Sequence, residues 1–98
     1  MNRISHWIDG RVVASTSGHS APVYDPATGN QTGAVDLASI AEVDAAVAAA
    51  AKAFPAWRST SLSRRAEVLF RMRELVDANR KEIAMLLTAE HGKVLSDS

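Results

Sequence analysis

His6, His19 and His91 are the side chains here best suited to bind a metal through nitrogen, and they lie far apart in the chain. None has a second ligand at the i, i+4 spacing that places two donors on one helix face. Cysteine is absent, which removes thiolate metal sites, disulfides and the commonest thiol nucleophile together. The spacing predicts no metal centre.

Glycine-containing motifs are the next candidates. Gly92-Lys93 resembles the end of a phosphate loop, but Leu87 stands where the first glycine is needed and Val94 replaces the magnesium-binding hydroxyl. Gly18-His19-Ser20-Ala21-Pro22 approaches a nucleophile elbow, with Pro22 in place of the last glycine, so a surface loop is expected. Gly29 and Gly33 lack the third glycine of a dinucleotide fingerprint and follow a turn instead of a buried strand. Arg64, Arg65, Arg71, Arg73, Arg80 and Lys81 could suggest nucleic acid, yet Glu67 precedes Arg71 by four residues and Arg73 precedes Asp77 by four. That spacing reads as an ion-paired, solvated helix face.

The elements that would carry these residues are legible in outline. Ile4 to Ala14 surrounds Asp9-Gly10, a pair suited to a tight hairpin, which predicts strands near 4–8 and 11–14. Residues 15–20 are polar and aperiodic and read as a loop, Val23-Tyr24 as a short extended piece, and 25–30 as a turn set by Pro26 and Gly29. A strand is expected over 32–37. Ser39 and Glu42 have capping-box spacing, predicting a helix that starts there, is anchored by Val43, Val47 and Phe54, and ends at Pro55. Trp57 is expected to fill a gap between elements. A second helix is predicted at 62–78 with the stripe Leu62, Ala66, Leu69, Met72 and Val76, capped from Ser59-Thr60-Ser61. Asn79 is expected to cap a third helix whose buried face is Ile83, Leu86 and Leu87 and which stops at Gly92.

Composition sets the bounds. At 98 residues the chain fits one small domain that would bury only about two thirds of its unfolded surface. Eleven basic residues balance eleven acidic ones, so charge points neither to nucleic acid nor to a membrane. No run approaches the ~18 apolar residues of a membrane span, and residues 1–7 lack the apolar core of a signal peptide. A cytoplasmic protein is expected. No repeat or linker is visible, which makes one continuous piece over 1–98 the simplest reading, with a hairpin and strand region at 1–37 and a helical region at 38–98.

Several motifs, in order, resemble the aldehyde dehydrogenase superfamily: His6-Trp7-Ile8-Asp9-Gly10-Arg11, Asp25-Pro26-Ala27-Thr28-Gly29, Glu42-Val43-Asp44-Ala45-Ala46-Val47, Ala53-Phe54-Pro55-Ala56-Trp57 and Arg65. Within it, Arg64-Arg65-Ala66-Glu67-Val68-Leu69-Phe70 and Glu90-His91-Gly92-Lys93-Val94-Leu95-Ser96-Asp97 look most like methylmalonate-semialdehyde dehydrogenases. His19 and Asn30 depart from the residues expected at those positions.

The resemblance implies an α/β fold of which this chain is an N-terminal fragment, short strands followed by about three helices, within the coenzyme-binding domain. It implies an NAD-dependent enzyme in which a cysteine thiolate attacks a semialdehyde, hydride passes to nicotinamide, and coenzyme A takes the acyl group with decarboxylation. It places the catalytic and cofactor-binding residues beyond Ser98, so no catalytic, cofactor-binding or metal residue is assigned within 1–98, and this segment alone is expected to be inactive scaffold. The partners implied are the remainder of the parent chain and further copies in a homotetramer. Two alternatives stay open: a non-catalytic helical interaction module, and the same superfamily acting on another aldehyde with hydrolytic release.

Overall fold

The computed structural model describes residues 2–98. Five short strands precede three helices: β1 (Asn2–Ile4), β2 (His6–Ile8), β3 (Arg11–Val13), β4 (Ser20–Tyr24), β5 (Gln31–Asp36), α1 (Ile40–Ser59), α2 (Leu62–Ala78) and α3 (Arg80–His91), with a 3-10 turn at Leu95–Asp97. These residues form two compact units, one of residues 2–24 with Gln31–Arg58, the other of Asp25–Asn30 with Ser59–Ser98.

In the first unit, Asp9 and Gly10 both have positive φ, 54° and 76°, the backbone that a two-residue hairpin turn requires to match the twist of its strands. The turn sets β2 antiparallel to β3 with Trp7 opposite Val12. The strand expected over 4–8 is two strands divided at Ser5. β1 runs parallel to β5, in a three-stranded sheet of order β1-β5-β4, while β2 belongs to the hairpin. Local pattern registers the hairpin, but the β1–β5 pairing joins residues about thirty apart and leaves no local mark.

β4 is longer than the expected Val23-Tyr24 piece and contains Pro22. It lies at the sheet edge, where a residue without an amide donor is tolerated. β5 carries the tightest contact: a Cβ on Gly33 would meet the Asn2 carbonyl oxygen at 2.5 Å. Glycine here is what lets β1 pair.

The capping box forms as expected. The Ser39 hydroxyl accepts from the Glu42 amide at 3.2 Å, and Glu42 accepts from the Ser39 amide at 3.0 Å. α1 then continues through Pro55 to Ser59, so the expected stop is one turn too early. Proline removes one amide donor and crowds the carbonyl four residues back, yet so near the helix end this does not unwind the last turn.

In the second unit, residues 25–30 fold into the expected turn. The Asp25 carboxylate accepts from the Ala27 amide at 2.9 Å, the Asp25 carbonyl accepts from the Gly29 amide at 2.7 Å, and the Asp25 amide donates to the Asn30 carbonyl at 2.9 Å. α2 matches its expected span, and the Ser61 hydroxyl caps it by accepting from the Arg64 amide at 3.2 Å. Asn79 acts differently from expectation. Its side chain donates to the Leu75 carbonyl at 2.7 Å, closing α2 instead of opening α3. Gly92 ends α3 in the left-handed conformation, φ 85°, against Pro26 of the turn.

Apolar side chains depart furthest from expectation. Among the described residues no hydrophobic side chain is buried. Val43, Val47 and Phe54 are more than half exposed, Trp57 is 44% exposed, and the supposed buried face of α3, Ile83, Leu86 and Leu87, is 43%, 64% and 38% exposed. The helical stripes are real, but within these residues nothing covers them.

Gly33→Ala is expected to force β1 away from β5 at a cost of about 1–3 kcal/mol. The check is an urea titration, with amide exchange at Ala34 and Val35 reporting the pairing; unchanged midpoint and protection would show that the close approach is not needed.

Candidate functional site

The densest set of interacting polar groups lies in the first unit, around Ser15. Asp36, at the end of β5, is 9% exposed and accepts from Arg3 twice, Nε to Oδ1 and Nη2 to Oδ2, each at 3.0 Å. The Ser15 amide donates to Asp36 Oδ2 at 3.0 Å. Glu42, in the first turn of α1, accepts from the Ser15 hydroxyl at 2.8 Å, the Ser39 amide at 3.0 Å and the His6 imidazole through Nε2 at 3.0 Å. Ser17 extends the set, its hydroxyl donating to the Leu37 carbonyl at 2.5 Å and its amide to Ser15 Oγ at 3.1 Å.

Both carboxyls are held well below their ordinary range, near 2. For Asp36 the Arg3 hydrogen bonds are the largest cause and the Ser15 amide the next, with burial opposing. For Glu42 the Ser39 amide leads, followed by the Ser15 hydroxyl, again against burial. Bidentate, charge-assisted contacts of this kind fix geometry as well as charge.

Serine, histidine and a carboxylate within hydrogen-bond reach invite comparison with a nucleophilic triad. The order is wrong for one. A triad needs imidazole on the serine hydroxyl and the carboxylate behind the imidazole. Here Glu42 stands between Ser15 and His6, and a carboxylate held near pH 2 is a feeble base for a hydroxyl proton. What the arrangement does is join β1, β2, the 15–19 loop, β5 and the start of α1.

The other candidates are not brought together. His19 is exposed beside β4, and His91 closes α3. Among the described residues no group of three His, Asp or Glu side chains is placed to hold a metal. Gly92 is a helix stop and Gly33 a strand-pairing position. Glu67 and Asp77 do form ion pairs, but with Arg64 at 3.5 Å and Arg80 at 3.7 Å instead of Arg71 and Arg73. Exposed pairs at such distances stabilise little. An open groove of about 850 Å³ along α2 is lined by apolar Leu69, Phe70, Met72 and Val76 together with the charged Arg73, Glu74, Asp77 and Arg80. No helix among the described residues is long and apolar enough to cross a membrane.

Residues 12–98 match the model of the aldehyde dehydrogenase family. The chain belongs to the aldehyde dehydrogenase family. It is 46% identical over 92 residues to the mitochondrial acylating methylmalonate-semialdehyde/malonate-semialdehyde dehydrogenase of Rattus norvegicus, covering 94% of this chain and 17% of the relative. It is 42% identical over 98 residues to the malonate-semialdehyde dehydrogenase of Pseudomonas aeruginosa, covering all of this chain and 20% of the relative. A solved structure described as a methylmalonate-semialdehyde dehydrogenase from Sinorhizobium meliloti 1021, complexed with NAD, superposes with a TM-score of 0.95 at 43% identity, over 99% of this chain and 20% of that one. The chain thus spans about a fifth of the relatives it matches, and its strands and helices are those of the N-terminal part of the aldehyde dehydrogenase fold.

The polar cluster has a signed acid dependence. Asp36 and Glu42 titrate near 2 when folded and about 4 when unfolded. Their stabilising effect is therefore fully present above about pH 4 and is lost as pH falls toward 2. Urea midpoints measured from pH 5 to 2 should fall steeply in the unaltered chain and less in Asp36→Asn/Glu42→Gln; equal slopes would contradict the assignment.

Proposed function

We propose that this chain is the N-terminal scaffold of an NAD-dependent dehydrogenase that oxidises methylmalonate or malonate semialdehyde and passes the acyl group to coenzyme A with decarboxylation. The carrying observation is the agreement of nearly the whole chain with enzymes of that name at 42–46% identity. Coenzyme A as acceptor, rather than water, follows the acylating relative from Rattus norvegicus. NAD as oxidant follows the complex from Sinorhizobium meliloti.

On this reading the 98 residues form the N-terminal part of the coenzyme-binding domain and hold no catalytic, cofactor-binding or metal residue. The lack of cysteine supports it, since a thiolate nucleophile has to come from elsewhere. So does the unburied apolar surface of α1, α2 and α3: faces so rich in Val, Leu and Phe are stable in water only when another surface covers them. The buried Nε of Arg65, which has no acceptor among these residues, adds a polar reason for a further surface at α2. The covering partner is the rest of the parent chain, and the whole enzyme is a cytoplasmic homotetramer.

The test is a chimera in which this chain replaces the matching first fifth of the Pseudomonas aeruginosa malonate-semialdehyde dehydrogenase. It should form NADH from malonate semialdehyde only when coenzyme A is present, at a rate within about tenfold of the parent. An inactive chimera, beside an active one built from the corresponding Geobacillus kaustophilus segment, would refute the reading.

A further inference from the structure

Ser15 touches both carboxylates through different atoms, its amide on Asp36 and its hydroxyl on Glu42, 3.0 and 2.8 Å away. Each carboxylate in turn holds separate elements. Asp36 binds Arg3 of β1 from its place at the end of β5. Glu42 binds His6 of β2 and the Ser39 amide at the start of α1. These contacts add to the β1–β5 backbone pairing in a unit whose described residues include no buried apolar side chain.

From this geometry we propose that Ser15 couples Asp36 and Glu42 into a single latch, so that the β1–β5 pairing and the start of α1 are secured or released together. The reasoning is mechanical. Protonating Asp36 removes the charge that strengthens its hold on the Ser15 amide and loosens the loop; the Ser15 hydroxyl then leaves Glu42, which loses a donor that favoured its charged form. The same sequence runs in reverse from Glu42. A hydroxyl has one proton, and the shorter, charge-assisted contact to Glu42 takes it over the Leu37 carbonyl at 3.3 Å.

The charged and titratable groups facing the latch are Arg3 from β1, His6 from β2 and His19, which lines a cavity of about 360 Å³ with Arg3, Ser15 and Asp36. Arg3 stays charged throughout. Exposed Asp44 of α1 makes no contact with either carboxylate among the interactions described.

Coupling has a signature that independent sites lack. In the 98-residue chain, the Ser15 and Ser39 amide resonances report Asp36 and Glu42 respectively. Followed by NMR from pH 5 to 1.5, both should change along one curve steeper than a single-proton titration. Ser15→Ala should raise both carboxyl midpoints, with Arg3 and the Ser39 amide still holding each below its free value, and restore single-proton slopes, while Ser15→Thr, which keeps the hydroxyl, should retain the steep curve. Protection at the Val23–Gly33 pairing serves as the control that β4–β5 survives in the Ala variant. Single-proton slopes in the unaltered chain, or a shift of Glu42 alone in Ser15→Ala, would overturn the proposal. So would carboxyls that titrate near 4 in the unaltered chain.

Discussion

Burial of apolar surface is ordinarily the largest favourable term in folding, and among the described residues of this chain no apolar side chain is fully buried. Its strands and helices carry the right residues at the right periods, yet every apolar side chain among the described residues keeps some contact with solvent. Order therefore has two sources. One is internal and polar, the hydrogen bonds that tie the first unit around Ser15 and the turn that seats Pro26 against Gly92 in the second. The other is external, the surface that the helical stripes are built to meet. The polar ties fix geometry, and the stripes bring the stabilisation that the ties cannot.

The motifs that this chain shares with the aldehyde dehydrogenase family serve its backbone. Asp25-Pro26-Ala27-Thr28-Gly29 is a turn whose carboxylate and carbonyl occupy its own amides. Gly92 in Glu90-His91-Gly92-Lys93 permits a left-handed helix stop. Ser39 and Glu42 cap α1, and Glu42 uses its remaining valence on Ser15 and His6. Each of these motifs answers a backbone requirement, and family membership is legible from them. An oxidoreductase family is identified by its scaffold as well as by its site.

Legibility in the sequence followed the range of the interactions. The Asp9-Gly10 hairpin, the 25–30 turn, the Ser39/Glu42 box, the α2 span and the Gly92 stop all rest on residues within four or five positions of one another. The parallel β1–β5 pairing, the bidentate Arg3–Asp36 contact and the His6–Glu42 contact join residues more than thirty apart, and local pattern holds no trace of them. One clue was available: Asp36 is a carboxylate closing an otherwise strand-like run, a position that needs a partner. Pro55 misled because a rule about helix interiors was applied within a turn of the end. Periodicity shows which side of each helix seeks cover but not what covers it, and within the described residues the stripes stay largely exposed.

The central claim is that these helices depend on surface from outside the 98 residues. Hydrogen exchange measured on the 98-residue chain alone, and again on the same residues fused to the remaining four fifths of a malonate-semialdehyde dehydrogenase, tests it directly. The account predicts weakly protected amides throughout α2 and α3 in the chain alone and protection near the global limit in the fusion. Strong, equal protection in both, with a monomeric chain that melts in one sharp transition, would contradict it.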